Sequence, residues 1–440
     1  MNSNKFFLKA KEAGISVAEL TLNSVTNLSF SLFHKELDNY TMSSQTSIKA
    51  RGIYNGKLGF AYSEDVTKNN VDFLINAIKS TASLIEKTEE PLIYKGSEKY
   101  HKKIVYNKDL ALVPTEEKLK KLHELEEFTY SLDKRISDVE CGYEETDNAK
   151  EFSNSYGLKL KERSNYYYYY LQVVAKDGEE VKNDFELYLD SDFSKFNLEE
   201  LAKKAVKNAV AKFHGQPIVS KTYKAVLDSD VVSSFIGALL NSHTSAEEVQ
   251  KGTSLFTGKL NQELFSKKLT VEEKPLEKSV FFNYFDDEGV ATYNKKIIDK
   301  GVLKTYLYNL ETAKKDGVNS TGNGYAQGAK MGISSINLTV KPGKLTKEQL
   351  FAKIKNGVYI SSVTGLHAGL NPKSGDFSLE AEGFKVVDGK QAEPLTLITV
   401  AGNLMSVFKD VIAIGSDYER KTSSVGAPSI AIKGIKVSAS

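Results

Sequence analysis

Residues 228–258 read DSDVVSSFIGALLNSHTSAEEVQKGTSLFTG, and the rest of the chain is understood from this stretch outward. It opens as a helix. Asp228 or Asp230 offers an N-cap, and Val231, Val232, Phe235, Ile236, Leu239 and Leu240 recur at helical spacing. A polar break follows at Asn241 to Ser245, where Thr244 with Glu247, or Ser245 with Glu248, has the spacing of a capping box opening a second helix. Gly252 to Gly258 then forms a small-residue loop bounded by glycines. Enzymes place metals and phosphates at such helix-then-loop units, so the side chains present decide the matter. A helical zinc site needs imidazoles or carboxylates one turn apart on one face. Here Gly237, Ala238 and Ser242 stand where such ligands would. His243 and Glu247 are four apart, but the capping signals between them break the helix. Gly252 to Lys259 also misses a P-loop: five residues separate its glycines where four are required, and Leu260 replaces the magnesium-binding hydroxyl.

The chain has 440 residues, enough for two or three domains with a substantial core. Its 59 Lys and Arg nearly balance 57 Asp and Glu, which gives no electrostatic case for nucleic acid as the main partner. The single cysteine, Cys141, can form no intrachain disulfide and suits a reducing compartment. The N-terminal residues read as an amphipathic helix rather than a signal peptide, and no stretch has the apolar length of a membrane span. A soluble, cytoplasmic protein is expected.

In chain order, residues 4–13 read as a helix, and Ser16 to Ser31 and Phe33 to Arg51 alternate like half-buried strands. Asn55-Gly56 signals a tight hairpin, and Val66 to Glu86 carries a helical stripe. Glu89 to Asn107 is charged and irregular, a linker. Thr115 to Leu132 reads as a helix capped by Thr115, with His123 to Glu127 as a solvated face, since only one histidine is offered where a zinc helix needs two. Residues 136–190 are strand-rich. The Tyr166 to Tyr170 run belongs to a sheet rather than to a base-stacking platform, and Asp177-Gly178 marks the next turn. Leu198 to Phe213 is a helix capped by Asn197, closed by Gly215-Gln216-Pro217. Beyond it, Asp286-Asp287-Glu288-Gly289 reads as an acidic turn rather than a cation site, and Ser320 to Gly324 as a loop whose backbone approaches a neighbour closely. Residues 346–357 form a short capped helix. Thr364 to Lys390 packs His367, Asn371-Pro372 and Ser374-Gly375-Asp376 into consecutive turns, and His367 is the leading site candidate there. No nucleophile elbow occurs, and Cys141 lacks a nucleophile's setting. The expected fold is α+β: an N-terminal mixed domain (1–90), a central strand-rich segment with flanking helices (91–215) and a largely antiparallel C-terminal domain (216–440).

Several stretches together resemble the TldD/PmbA family, and within it the PmbA (TldE) branch. They are IYNGKLGFAYSEDV at 53–66, KGTSLFTG at 251–258, FDDEGVATYNKKIIDKGVLKTYLYN at 285–309, STGNG at 320–324, the 364–390 stretch and VGAPSIAIKGIKV at 425–437. The resemblance implies a cytosolic metallopeptidase assembly. In its TldD branch an H-E-x-x-x-H helix and a C-terminal cysteine hold zinc; at the matching helix positions this chain has Gly237, Ala238 and Ser242, and its tail has no cysteine. It therefore implies a metal-free, non-catalytic subunit with no cofactor of its own, joined as a heterodimer to a zinc-bearing TldD-type partner, or a homodimer when alone. The substrate would be unfolded peptides and peptide precursors, bound by strand addition to the active companion. Candidate peptide-contact residues are His367, Asn371, Asp376, Thr253 and Asn323. Two other readings stay open: a stand-alone hydrolase using His367, Asp376 and Asp286 or Asp287 around another metal, and a peptide-binding scaffold.

Overall fold

The computed structural model describes residues 2–67, 70–86, 90–328, 330–421 and 424–439. Its N-terminal half is one six-stranded antiparallel sheet. The strands are β1 (Ile15–Phe33), β2 (Glu36–Tyr54), β3 (Lys57–Ser63), β4 (Ile136–Asn154), β5 (Lys159–Asp177) and β6 (Glu180–Asp190), in the order β3-β2-β1-β4-β5-β6. The β2–β3 turn has Asn55 and Gly56 at φ 49° and 73°, the left-handed geometry that this dipeptide favours. In β5 the tyrosine run alternates as a strand must: Tyr167 and Tyr169 are fully buried, and the Tyr169 ring stacks on Phe196 at 4.1 Å. Opposite Tyr170 stands Gly142, where a Cβ would fall 2.3 Å from the tyrosine ring.

Four helices cover one face of this sheet: α1 (Ser3–Glu12), α2 (Val71–Leu84), α3 (Thr115–Leu132) and α4 (Leu198–Val210). Phe6, Leu74 and Ile78 seal the first pair onto β1–β3, while Leu122, Leu125 and Ala205 seal the second onto β4–β6. Helix α2 also closes the sheet edge: the Thr81 hydroxyl accepts from Phe60 N and donates to Phe60 O, occupying outward-facing groups of β3.

Some local expectations shift. Helix α3 is capped by Pro114, extended at ψ 146°, so Thr115 is its first residue rather than its cap. The face from His123 to Glu127 is not all solvated: Leu125 and Glu126 are buried, and Glu126 accepts from Lys35 N at the β1–β2 turn. The β5–β6 turn is Gly178-Glu179, since Asp177 still pairs with Glu180. The linker at 90–107 has no regular element, yet it is strapped down, with Tyr100 donating to Gly289 O at 2.7 Å; Glu89 lies outside the described residues.

In the C-terminal half, strands Gly357–Thr364, Lys221–Leu227, Ile430–Ala439, Ile398–Asn403 and Asp376–Val387 pair in that order. The last also pairs with the first, so the sheet closes into a five-stranded barrel. Only the Gly357–Thr364 and Lys221–Leu227 contact in the barrel is parallel. A smaller five-stranded sheet, including Val271–Glu273, Lys295–Asp299, Leu338–Val340 and Val425–Gly426, packs beside it. The protein is thus α+β with largely antiparallel sheets. No helix among the described residues is long and apolar enough to cross a membrane.

Candidate functional site

The helix that opens the decisive stretch is α5 (Ser229–His243), capped by Asp228, whose carboxylate accepts from Asp230 N. Val231, Val232, Phe235, Ile236, Leu239 and Leu240 are all buried in the largest core. The helix ends as expected, but not by a capping box. The Thr244 hydroxyl donates back to Leu240 O at 2.6 Å, and Ser245 makes no side-chain cap for the short helix α6 (Ala246–Gln250). His243 and Glu247 therefore lie on separate helices. Glu247 pairs with Lys251 and Lys330.

His243 is 3 % exposed and joins two loops. Its Nδ1 accepts from Leu255 N at 3.2 Å, its ring also interacts with the Pro372 backbone, and its own carbonyl accepts from the Ser254 hydroxyl. Burial is the largest influence and holds its pKa below the usual imidazole value. The loop containing Thr253 and the loop containing Asn371 and Asp376 are thereby fixed beside one another.

The five candidate residues do not form one constellation. Asn371 is exposed and turns its carboxamide oxygen onto the Lys373 and Ser374 N–H groups. Asp376, also exposed, accepts from the Asn403 amide at 2.8 Å. Thr253 is exposed and donates to Glu248. His367 is exposed on the one-turn helix Leu366–Gly369. Asn323 is elsewhere: it is 1 % exposed, donates to Glu273 and Ser334 O, and accepts from Lys295 and Thr321. It braces the buried Glu273–Lys295 ion pair. As expected, its loop makes a close approach: a Cβ on Gly322 would fall 2.8 Å from Ala291 O.

The acidic turn at Asp286 to Gly289 is the feature whose setting was not foreseen. It is a turn, with Gly289 at φ 79°, but Asp286 and Glu288 are buried and Asp287 is half-buried against the N-terminal sheet. Asp286 accepts from the Glu288, Val290 and Gly324 N–H groups, yet burial and the neighbouring Glu288 push its pKa well up. Burial opposes ionisation of Asp287 too, but the Lys150 ammonium and the Ala326 N–H outweigh it and hold its pKa low. Glu288 is pushed by burial up to about 7, against the pull of Arg51 and of the Leu310 N–H. Arg51 itself donates to Glu19 at 2.5 Å and lies 3.9 Å from Glu288. Arg51 and Glu288 line a cleft of about 630 Å³ between β3 and the helix Leu310–Asp316, whose walls include Leu58, Phe60 and Met331.

For a metal, the side chains are the wrong ones. On α5 a Cβ at Gly237 would sit 3.4 Å from Val425 Cγ2, so this face packs directly on the strand beside it. No group of three or more His, Cys, Asp or Glu disposed to hold an ion occurs among the described residues. A zinc ion does not fit this donor set.

Three family patterns run along the chain: PmbA/TldA metallopeptidase domain 1 over 18–84, the central domain over 108–213 and the C-terminal domain over 220–439. The chain belongs to the PmbA/TldD metallopeptidase family. A metalloprotease PmbA homolog from Buchnera aphidicola subsp. Baizongia pistaciae is 30% identical over 324 residues, 72% of this chain and 69% of that protein. A Thermotoga maritima structure, provisionally described as a modulator of a DNA gyrase, superposes with a TM-score of 0.92 at 26% identity, covering 99% of both chains. TldE from Thermococcus kodakarensis has the same fold, with a TM-score of 0.92 and 20% identity over 99% of both chains. The long sheet and closed barrel are therefore the PmbA/TldD architecture. Within it, α5 of this chain offers glycine, alanine and serine.

Proposed function

We propose that this chain is the metal-free, non-catalytic subunit of a two-component PmbA/TldD peptidase. It pairs in the cytoplasm with a TldD-type subunit whose H-E-x-x-x-H helix holds zinc, and together they cleave unfolded peptides and peptide precursors. The observation that carries this reading is the face of α5. Gly237, Ala238 and Ser242 supply no ligand and no general base. A Lewis-acid site without ligands or base cannot activate water. The exposed loop residues His367, Asn371, Asp376 and Thr253 are the proposed peptide contacts of this subunit. The test is metal content and peptidase activity of the chain alone and after mixing with a TldD-type subunit. A metal-free, inert chain whose mixture cleaves unfolded peptide faster than the TldD-type subunit alone is expected. Stoichiometric zinc with cleavage by the lone chain would overturn the proposal in favour of a stand-alone hydrolase. A mixture no more active than the TldD-type subunit alone would leave a scaffold.

A further inference from the structure

The near-neutral charge of the chain conceals a strongly uneven distribution. On the C-terminal domain a groove of about 450 Å³ is lined by Lys267, Lys268, Lys300, Lys341 and Lys353, with no carboxylate in its walls. All five lysines are exposed. Lys267 has Glu263 at 3.5 Å; among the described residues the other four have no acidic partner. The lysines come from four separate segments, and Thr270 holds two of these segments together. Its hydroxyl accepts from Lys300 N at 3.1 Å, and its carbonyl accepts from Lys341 N at 2.9 Å. Lys300 stands at φ 49°, a left-handed position that asparagine or glycine occupies more comfortably. A lysine there costs backbone energy and adds charge to the groove. The lining also includes Ile412 and Pro342, and the strip is anchored by Gly343 N donating to Gly415 O at 2.7 Å.

We infer that this groove binds an acidic stretch of extended polypeptide. Four unpaired ammonium groups around a partly apolar lining complement carboxylates carried on a chain with some apolar side chains. Nucleic acid is the poorer match: no aromatic ring lines the groove for base stacking, and no arginine offers bidentate base contacts. The inference stands without the subunit reading, because it concerns binding by this chain alone.

The test is fluorescence anisotropy of a labelled hexaglutamate peptide with the full chain, at low and moderate salt. A triple variant, Lys268→Ser, Lys300→Asn and Lys341→Ser, removes three charges. Asn suits the left-handed backbone, and the backbone bonds to Thr270 do not involve the side chains removed. Binding is expected, weakened by salt, absent for hexaglutamine, and reduced about tenfold or more in the triple variant, whose thermal melting is not lowered. Absence of hexaglutamate binding, or equal binding by the variant, would overturn the inference. So would a single-stranded oligonucleotide bound as tightly through the same lysines.

Discussion

Replacing Glu288 with glutamine probes the buried acid cluster directly. Glu288 is 3 % exposed, and burial lifts its carboxyl from 4.5 to about 7. The folded protein therefore keeps a proton that the unfolded chain releases over this range. The associated stability is fully present below about pH 4.5 and is lost as pH rises through about 7. A displacement of two to three pH units corresponds to about 3 kcal/mol. If the whole chain melts cooperatively, an unfolding entropy of about 2.1 cal/mol/K per residue turns this into roughly 3 °C of melting temperature. Glutamine cannot ionise, and its side-chain oxygen can still accept from Leu310 N, which lies 2.8 Å from Glu288 Oε2. In scanning calorimetry E288Q should match the parent near pH 4.5 and melt about 3 °C higher at about pH 8.5. Asp286, pushed up in part by the Glu288 charge, is eased by the same substitution, which adds to the gain at the alkaline end. A difference that does not change with pH, or a variant that is less stable at the alkaline end, would refute the reasoning.

Three further outcomes are expected. Lys295→Met leaves Glu273, 0 % exposed, with its bonds from Asn323 and Ile336 N but no counter-charge, so urea unfolding should show a loss of about 3–5 kcal/mol. An unchanged midpoint would contradict the ion pair's role. His243→Ala cuts both ring tethers, and amide hydrogen exchange should quicken at 253–256 and 371–376; protection equal to the parent's would sink that assignment. Because burial lowers the His243 pKa, its contribution is complete above about pH 6.5 and declines as pH falls below that value. His367→Ala, at an exposed position, should shift stability by no more than about 0.5 kcal/mol, and a large loss on thermal melting would make His367 a structural residue.

Much of the fold was legible because local and tertiary preferences agree. The alternation of Ser16 to Ser31, the Asn55-Gly56 turn, the tyrosines of β5 and the stripe of α5 each become the element their spacing implies. The acid cluster was not legible. Glu19, Arg51, Lys150 and Asp286 to Glu288 come from three strands and a distant turn, and a charge taken singly reads as surface until its partners are placed. Glu126 illustrates this, a helical glutamate buried because a hairpin turn needs an acceptor for Lys35 N. The lysine groove escaped notice for the same reason. In the candidate site, the helix break after His243 was foreseen, while the tie from its ring to Pro372 depends on a loop far along the chain.

The strand order bears on how the protein comes off the ribosome. Strand β1 lies between β2 and β4, so residues 19–33 meet their second neighbour only when residues 140–154 have been synthesised. In the barrel, Lys221–Leu227 has Gly357–Thr364 on one side and Ile430–Ala439 on the other, and that ring stays open until the latter strand emerges. Through most of translation, then, the nascent chain carries unpaired strand edges. Such edges are what chaperones engage and aggregates recruit, so synthesis is the period of greatest exposure for this protein.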